Sequence, residues 1–373
     1  MIRKFDTKKG VRWGFVIELG KVDGKRKRMQ ERGFITKKAA QEAYHKAKSE
    51  LENGGIIKDA NISLSDFLDK WYNDYVVLNC KHNTKLSYLT VITHLKNDLG
   101  NYKLKTLTPL IIQNYINEKF KSGISSNSLK TFKAIFKSAL KYAIFPCRYI
   151  NQNPLTDITV PKKCGKSNKV KTITLEQFET LLEFINKSFY RLAFLIAFHT
   201  GMRVSEVCGL LWENINFESN TILVKYNLQY YEGICSLTST KTNSSYREIK
   251  LGNTLKEILI AEKARQTEHK ENYNKYYYKK NDFVVCREDG RPVPGNYISN
   301  LCQDLRAGGL PFYFNFHMLR HTHATLLLEA GANIVDVSKR LGHKKVSTTL
   351  NKYSHATKNM ADNTINLFEK ILK

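Results

Sequence analysis

Two short motifs carry an arginine where an anion could bind. The first is the segment 200–206, with the sequence TGMRVSE, in which Gly201 ends one predicted helix and Val204 opens the next. Arg203 therefore projects from a tight turn at a helix start, where its charge opposes the helix dipole. An anion sharing that site would explain the arrangement. Glu206, one turn later, could orient the guanidinium group.

The second motif is HMLRHTHAT at residues 317–325, where a predicted helix carries His317 and Arg320 on one face. His317 and His321 also have the i, i+4 spacing of helical zinc ligands. Met318 stands where the metalloprotease motif needs its glutamate, and Arg320 would repel a cation. Anion binding is therefore favoured over a metal site, and we predict neither a metal nor another cofactor.

Three further residues stand at positions that suit chemistry on the same anion. In LGHKKVSTT, at 341–349, Gly342 caps one helix and His343 lies in the turn before another. Tyr353 stands near the end of that second helix. Lys241 lies in TKTNSS, a predicted turn between two strands, where a lysine by itself is usually only solvated.

Charge indicates the kind of partner. The 373 residues include 60 Lys and Arg against 34 Asp and Glu, a formal net charge of +26. This balance excludes an acidic housekeeping enzyme and favours nucleic acid as the partner, although a strong net charge can also serve solubility alone. Seven widely spaced cysteines without a CxxC pair predict free thiols in a reducing cytoplasm. We predict no membrane partner, because neither a spanning run nor a signal peptide is evident.

The basic excess is concentrated in the first half of the chain. Residues 1–58 contain 16 basic and 7 acidic side chains, and their pattern predicts a small β-sheet followed by a helix. The run Lys25, Arg26, Lys27 and Arg28 could be a solvated edge strand. It could instead belong to a sheet that lies in a DNA groove, and we favour this second interpretation.

The stretch that follows, 59–164, is predicted to be helical. Ser63 with Asp66 has the form of a capping box, and the helix at about 127–144 has an apolar face. An adjacent face of this helix carries four lysines with no interleaved acid: Lys130, Lys133, Lys137 and Lys141. This face could simply be solvated, but it also suits contact with successive phosphates. Residues 165–373 are predicted to be a mixed α+β domain.

Taken in order, these motifs resemble those of the tyrosine recombinases, the phage integrase family. TGMRVSE, TKT, HMLRHTHAT, LGH and a tyrosine ten residues after His343 match all the catalytic positions of that family in order and spacing. The resemblance implies a mainly α fold with small β-sheets in three domains. These are a three-stranded sheet plus helix that binds arm-type DNA (1–58), a helical, SAM-like core-binding domain (59–164) and a catalytic domain (165–373).

The resemblance also implies a mechanism. Tyr353 would attack a DNA phosphodiester to give a 3′-phosphotyrosine and a free 5′-hydroxyl. Arg203 and Arg320 would bind the non-bridging oxygens and His343 would add a donor. His317 would exchange the phenol proton, and Lys241 would protonate the leaving oxygen.

The implied partners are double-stranded DNA at core-type and arm-type sites and a homotetramer formed on DNA, with host DNA-bending and excision factors in support. The expected location is the cytoplasm of a bacterial host, in association with the nucleoid. Two alternatives stay open: a type IB topoisomerase-like enzyme, and a catalytically idle DNA-binding regulator.

Overall fold

A computed structural model describes residues 2–7, 10–22, 25–52, 61–162, 171–239 and 246–353. The chain divides into two compact units, Met1–Lys166 and Ser167–Lys373. Each unit has its own hydrophobic core, so each is described by itself.

The first unit opens with an antiparallel sheet of three strands in the order β1-β2-β3, followed by one helix. Their bounds are β1 (Ile2–Thr7), β2 (Gly10–Val22), β3 (Lys25–Phe34) and α1 (Lys37–Glu52). Phe15 of β2 is fully buried, and its ring contacts those of Phe34 and Tyr44. The three-stranded sheet and its helix confirm the prediction for this part of the fold. The sequence pattern located only two of the strands.

The rest of the described part of this unit is mainly helical. They are α2 (Leu64–Trp71), α3 (Val77–Asn79), α4 (His82–Leu99), α5 (Pro109–Lys121) and α6 (Ser126–Ile144). The Ser63 hydroxyl accepts from the backbone N–H of Asp66, which caps α2 as predicted. A π-helical segment, Tyr72–Val76, joins α2 to α3.

The second unit is mixed α+β, and its nine-residue α7 begins with the capping box of Thr174 and Gln177. Its helices are α7 (Leu175–Glu183), α8 (Ser188–Thr200), α9 (Val204–Cys208), α10 (Asn253–Tyr273), α11 (Gly295–Ala307), α12 (His317–Glu329), α13 (Ile334–Leu341) and α14 (Val346–Tyr353). Its strands are β4 (Ile215–Asn216), β5 (Thr221–Val224), β6 (Tyr226–Tyr231), β7 (Ile234–Ser239) and β8 (Arg247–Lys250). Two antiparallel sheets result, β4-β5-β8 and β6-β7.

Helices α12, α13 and α14 enclose a small core of their own. Its buried members are Ala324, Leu328, Val337, Leu341 and Tyr353. Since α12 also packs on α8, the end of α8 and the turn after α13 are brought to the same region of the unit. This arrangement positions the predicted catalytic residues.

The described cysteines are all free thiols, as the irregular spacing predicted. Among the described residues, no helix combines the length and the apolar character that crossing a membrane requires.

Candidate active site

Arg203 stands in a turn whose geometry favours glycine. Helix α8 ends at Gly201, whose φ of 68° lies in the left-handed region. A Cβ at this position would lie 2.7 Å from Cδ2 of Leu341 and 2.8 Å from Cδ2 of His323. The close approach brings the turn against α12 and α13. Arg203 then forms the N-cap of α9, with 35% of its side chain exposed.

A buried carboxylate holds the Arg203 guanidinium. Nη1 of Arg203 donates to Oε1 of Glu206 at 2.7 Å, and its backbone N–H donates to Oε2 at 2.9 Å. Arg247 donates to the same two oxygens, from Nη1 at 3.2 Å and from Nη2 at 2.9 Å. Burial by itself would raise the pKa of Glu206, but the two guanidinium groups outweigh it and hold that pKa below its ordinary value.

Arg320 is buried, with 2% of its surface exposed. Nη1 donates to the carbonyl of Gly201 at 2.8 Å, and Nη2 donates to the carbonyl of Leu341 at 2.7 Å. Burial and the neighbouring charge of Arg203 lower the pKa of Arg320 to about 9. A guanidinium has five N–H donors, so these two bonds fix its plane and leave others for an anion.

The turn after α13 contacts both arginines and carries a histidine. Gly342 ends α13 with a φ of 69°, and its carbonyl lies 3.4 Å from Nη2 of Arg203. His343 follows, and its Nδ1 lies 2.8 Å from Oγ1 of the buried Thr349 in α14. The carbonyls of two successive residues, Leu341 and Gly342, therefore accept from Arg320 and Arg203 respectively.

Tyr353 lies at the end of α14 with 2% of its surface exposed. Its hydroxyl lies 2.6 Å from Nδ1 of His321. Burial raises the pKa of Tyr353 to about 12, while the charge of Arg320 acts in the opposite direction. The ring of His317 packs edge-on against that of His321, with centroids 4.5 Å apart. The sequence assigned the phenol proton to His317, whereas His321 makes the contact.

The buried His323 stabilises the same turns. Nδ1 of His323 lies 2.9 Å from the carbonyl of Phe198, which can only accept, so this nitrogen carries the proton. Nε2 then accepts from Nε of Arg340 at 3.0 Å. Arg340 also donates to the carbonyls of Lys250 and His199. Burial and the charge of Arg340 lower the pKa of His323 to about 3.

Sequence reasoning did not identify Arg247 or the role of His321. Arg247 could have been noticed from strand alternation, because it shares the buried face of β8 with Ile249. The signal for His321 was its i, i+4 spacing from His317, which suggested a metal pair. Within the described residues, no cluster of three or more His, Cys, Asp or Glu could hold a metal ion.

The remaining predicted residues have different surroundings. Lys241 lies outside the described residues, as do the side chains of Lys25, Arg26 and Lys27. Arg28 is exposed and forms an ion pair with Glu18, its partner across the two strands. On α6, Lys130, Lys137 and Lys141 are exposed, whereas Lys133 donates to the carbonyl of Ile158.

Three family models match the chain in succession. The arm DNA-binding domain matches residues 1–51, the SAM-like N-terminal domain of phage integrases matches 63–120, and the phage integrase family matches 171–360. The domain boundaries at 58 and 164 stay predictions.

Known proteins resemble the chain over most of its length. A XerC-like tyrosine recombinase from Caldanaerobacter subterraneus subsp. tengcongensis is 27% identical over 350 residues, which cover 88% of each chain. The integrase of a Staphylococcus phage is 26% identical, over 88% of this chain and 98% of its own. The integrase of transposon Tn1549, solved in complex with transposon right end DNA, has a similar fold, with 24% identity and a TM-score of 0.66 over 82% of this chain and 99% of its own.

The model that matches 171–360 covers half of the chain and contains every residue of the site described above. The chain is a site-specific tyrosine recombinase and belongs to the phage integrase family.

Proposed function

We propose that this recombinase cuts and rejoins double-stranded DNA by attack of Tyr353 on a phosphodiester, and so integrates or excises a mobile element. The observation that carries the proposal is the pairing of Arg203 with the carbonyl of Gly342 and of Arg320 with that of Leu341. Two guanidinium groups held by adjacent residues suit the two non-bridging oxygens of one phosphate. The charge of Arg320 also acts on the phenol of Tyr353.

In the proposed cleavage step, a bond forms between the phenolic oxygen of Tyr353 and phosphorus, and the bond from phosphorus to the 5′-oxygen breaks. Negative charge on the non-bridging oxygens is balanced by Arg203 and Arg320, and His343 donates a further hydrogen bond. The phosphotyrosine retains the energy of the broken phosphodiester. The 5′-hydroxyl of a second strand can therefore attack the phosphotyrosine and join the new partner strand, with no need for a nucleotide cofactor.

The proton of the phenol needs an acceptor, because at a pKa of about 12 it stays bound at neutral pH. We assign this acceptor to His321, whose Nδ1 lies 2.6 Å from the hydroxyl. His317, predicted for the role, would take it over only if Tyr353 turned toward it on DNA. Lys241 is proposed to give a proton to the leaving 5′-oxygen.

Two basic surfaces are proposed to hold the DNA. On α6, the exposed Lys130, Lys137 and Lys141 would contact successive phosphates of a core-type site. Lys133 would have to leave the carbonyl of Ile158 to join them. The β1-β2-β3 sheet, with the basic run 25–28 on β3, would bind a separate arm-type site.

The proposed assembly is a homotetramer on DNA in the cytoplasm of a bacterial host, at the nucleoid, assisted by host DNA-bending and excision factors. Lambda integrase supports the first part of this proposal. It has been solved as a dimer bound to a core site and as a tetramer bound to a Holliday junction.

Two assays on the full chain test this function against its alternatives. A plasmid carrying two copies of the recombination site should yield a deletion or an inversion between them. A topoisomerase would relax supercoils in the same plasmid without exchanging the two sites. An idle regulator would give neither product while still binding the DNA.

A further inference from the structure

Arg247 is a buried arginine at the first position of β8, with 7% of its side chain exposed. Besides its two bonds to Glu206, it donates from Nε to the carbonyl of Arg340 at 2.6 Å. These contacts direct its guanidinium toward the protein and away from solvent. Arg247 is therefore poorly suited to touch a phosphate itself.

The two acceptors of Arg247 lead to the two arginines of the site by separate routes. Glu206 holds Arg203 through both its guanidinium and its backbone N–H. The carbonyl of Arg340 comes immediately before the carbonyls of Leu341 and Gly342, which accept from Arg320 and Arg203. The side chain of Arg247 thus links Glu206, which holds Arg203, to the end of α13, whose carbonyls accept from Arg203 and Arg320.

We propose that Arg247 is a positioning residue for the reaction, which sets the spacing between Arg203 and the Leu341–Gly342 turn. This inference rests on the proposed function, in which Arg203 and Arg320 bind one phosphate. Without Arg247, Glu206 would lose two of the hydrogen bonds that hold its carboxylate. Arg203 would then follow the carboxylate to a new position. A displacement of about 1 Å in such a site costs on the order of 100-fold in rate.

The test compares two substitutions with a matched control. Arg247→Met removes the charge and every bond, whereas Arg247→Lys keeps the charge opposite Glu206 but cannot make the bidentate contact. Arg265→Met is the control, because Arg265 makes a comparable two-bond pair with the buried Glu262 within α10. Neither member of that pair belongs to the described site.

The readout is the single-turnover rate of covalent attachment to a nicked DNA substrate at saturating enzyme. Each protein is assayed on a normal scissile phosphate and on a methylphosphonate, in which a methyl group replaces one non-bridging oxygen. The methylphosphonate is neutral, so it needs less of the positive charge that Arg203 and Arg320 supply. A loss of folded protein would reduce both rates by the same factor.

Arg247→Met should slow cleavage of the normal phosphate on the order of 100-fold, with unchanged DNA affinity. Its defect on the methylphosphonate should be smaller by roughly tenfold or more, because misplaced arginines matter less for a neutral substrate. Arg265→Met should match the wild type on both substrates, apart from a common factor for stability. If Arg247→Met does not fold, Arg247→Lys carries the test, and its defect should likewise shrink on the neutral substrate.

Equal losses on the two substrates, or wild-type rates in a folded variant, would overturn the positioning role. In either case wild-type cleavage would leave the proposed function intact. Absence of covalent attachment by the wild-type enzyme on both substrates would remove the proposed function, and this inference with it.

Discussion

The hydroxyl of Tyr353 lies 2.6 Å from Nδ1 of His321, one helical turn along α12 from His317. A phenol this deeply buried is a poor nucleophile until its proton is removed. The contact identifies the nearest acceptor for that proton.

The histidine contact predicts unequal effects of two matched substitutions. His321→Phe keeps an aromatic ring beside His317 and removes the proton acceptor, so cleavage should fall by roughly 10²- to 10⁴-fold. His317→Phe should cost less. Single-turnover cleavage measures both, and a larger loss in His317→Phe would show that Tyr353 turns toward His317 on DNA.

Lys241 should matter only when the leaving group is poor. A 5′-alkoxide must be protonated as its bond breaks, whereas a 5′-bridging sulfur leaves as a thiolate, because a thiol has a pKa near ~8.5. Lys241→Ala should be severely impaired on normal DNA and cleave the sulfur-substituted strand at nearly the wild-type rate. Arg320→Ala provides the comparison and should gain little from sulfur. Rescue of Arg320→Ala alone would contradict both assignments, and Lys225, between β5 and β6, would be the next candidate for the acid.

Because His323 is buried in its neutral form, we expect α12 to lose local stability in mild acid. Its folded pKa of about 3 lies below the ordinary 6.5, so the unfolded chain takes up a proton first as the pH falls. The stabilisation is complete above pH 6.5 and is lost progressively toward pH 3. Between pH 6.5 and pH 5, the free energy of opening α12 should fall by about 2 kcal/mol.

Hydrogen exchange of the α12 peptides, corrected for intrinsic rates, measures this change. His323→Phe should lose the part of the pH dependence that His323 contributes, and the difference between the two proteins removes the effect of the other histidines. Glu206 has a lowered pKa, so its stabilising contribution is lost only as the pH falls below the ordinary value of 4.5, outside this window. Identical pH profiles for the two proteins would contradict the assignment.

The lysines of α6 should differ in their effect on DNA binding. Replacing Lys130, Lys137 and Lys141 with alanine should reduce the slope of log affinity against log salt by roughly 0.9 for each lost phosphate contact. Lys133→Ala should leave the slope unchanged, because its ammonium group donates to Ile158. A fluorescence titration with core-site DNA at several salt concentrations measures the slopes. A comparable change in Lys133→Ala would show that its bond to Ile158 breaks on DNA.

The sequence predicted what local periodicity and capping determine. The apolar spacing of α6 and the glycines at 201 and 342 located helix ends to within about two residues. The family motifs predicted roles for Arg203, Arg320, His343 and Tyr353, which the structure brings to one region of the second unit. Contacts between distant segments were not accessible in this way. Arg247 meets Glu206 across 41 residues and Arg340 across 93.

The choice between His317 and His321 shows the same limit on a smaller scale. Both histidines lie on neighbouring positions of one helix face, so helical geometry treats them alike. Which of them meets Tyr353 is decided by how α14 packs against α12, and that depends on the small core of Leu328, Val337 and Leu341. Packing of this kind has no signature in local sequence.

Tyr353 is the proposed nucleophile, and covalent trapping on a nicked suicide substrate reports directly on this role. Tyr353→Phe retains the buried ring and loses only the hydroxyl, so it should bind DNA with wild-type affinity in a gel shift. We expect a denaturant-resistant protein–DNA adduct for the wild type and none for Tyr353→Phe. An adduct of wild-type yield in Tyr353→Phe would mean that a different tyrosine is the nucleophile, with Tyr297 of α11 and the exposed Tyr313 the first to examine.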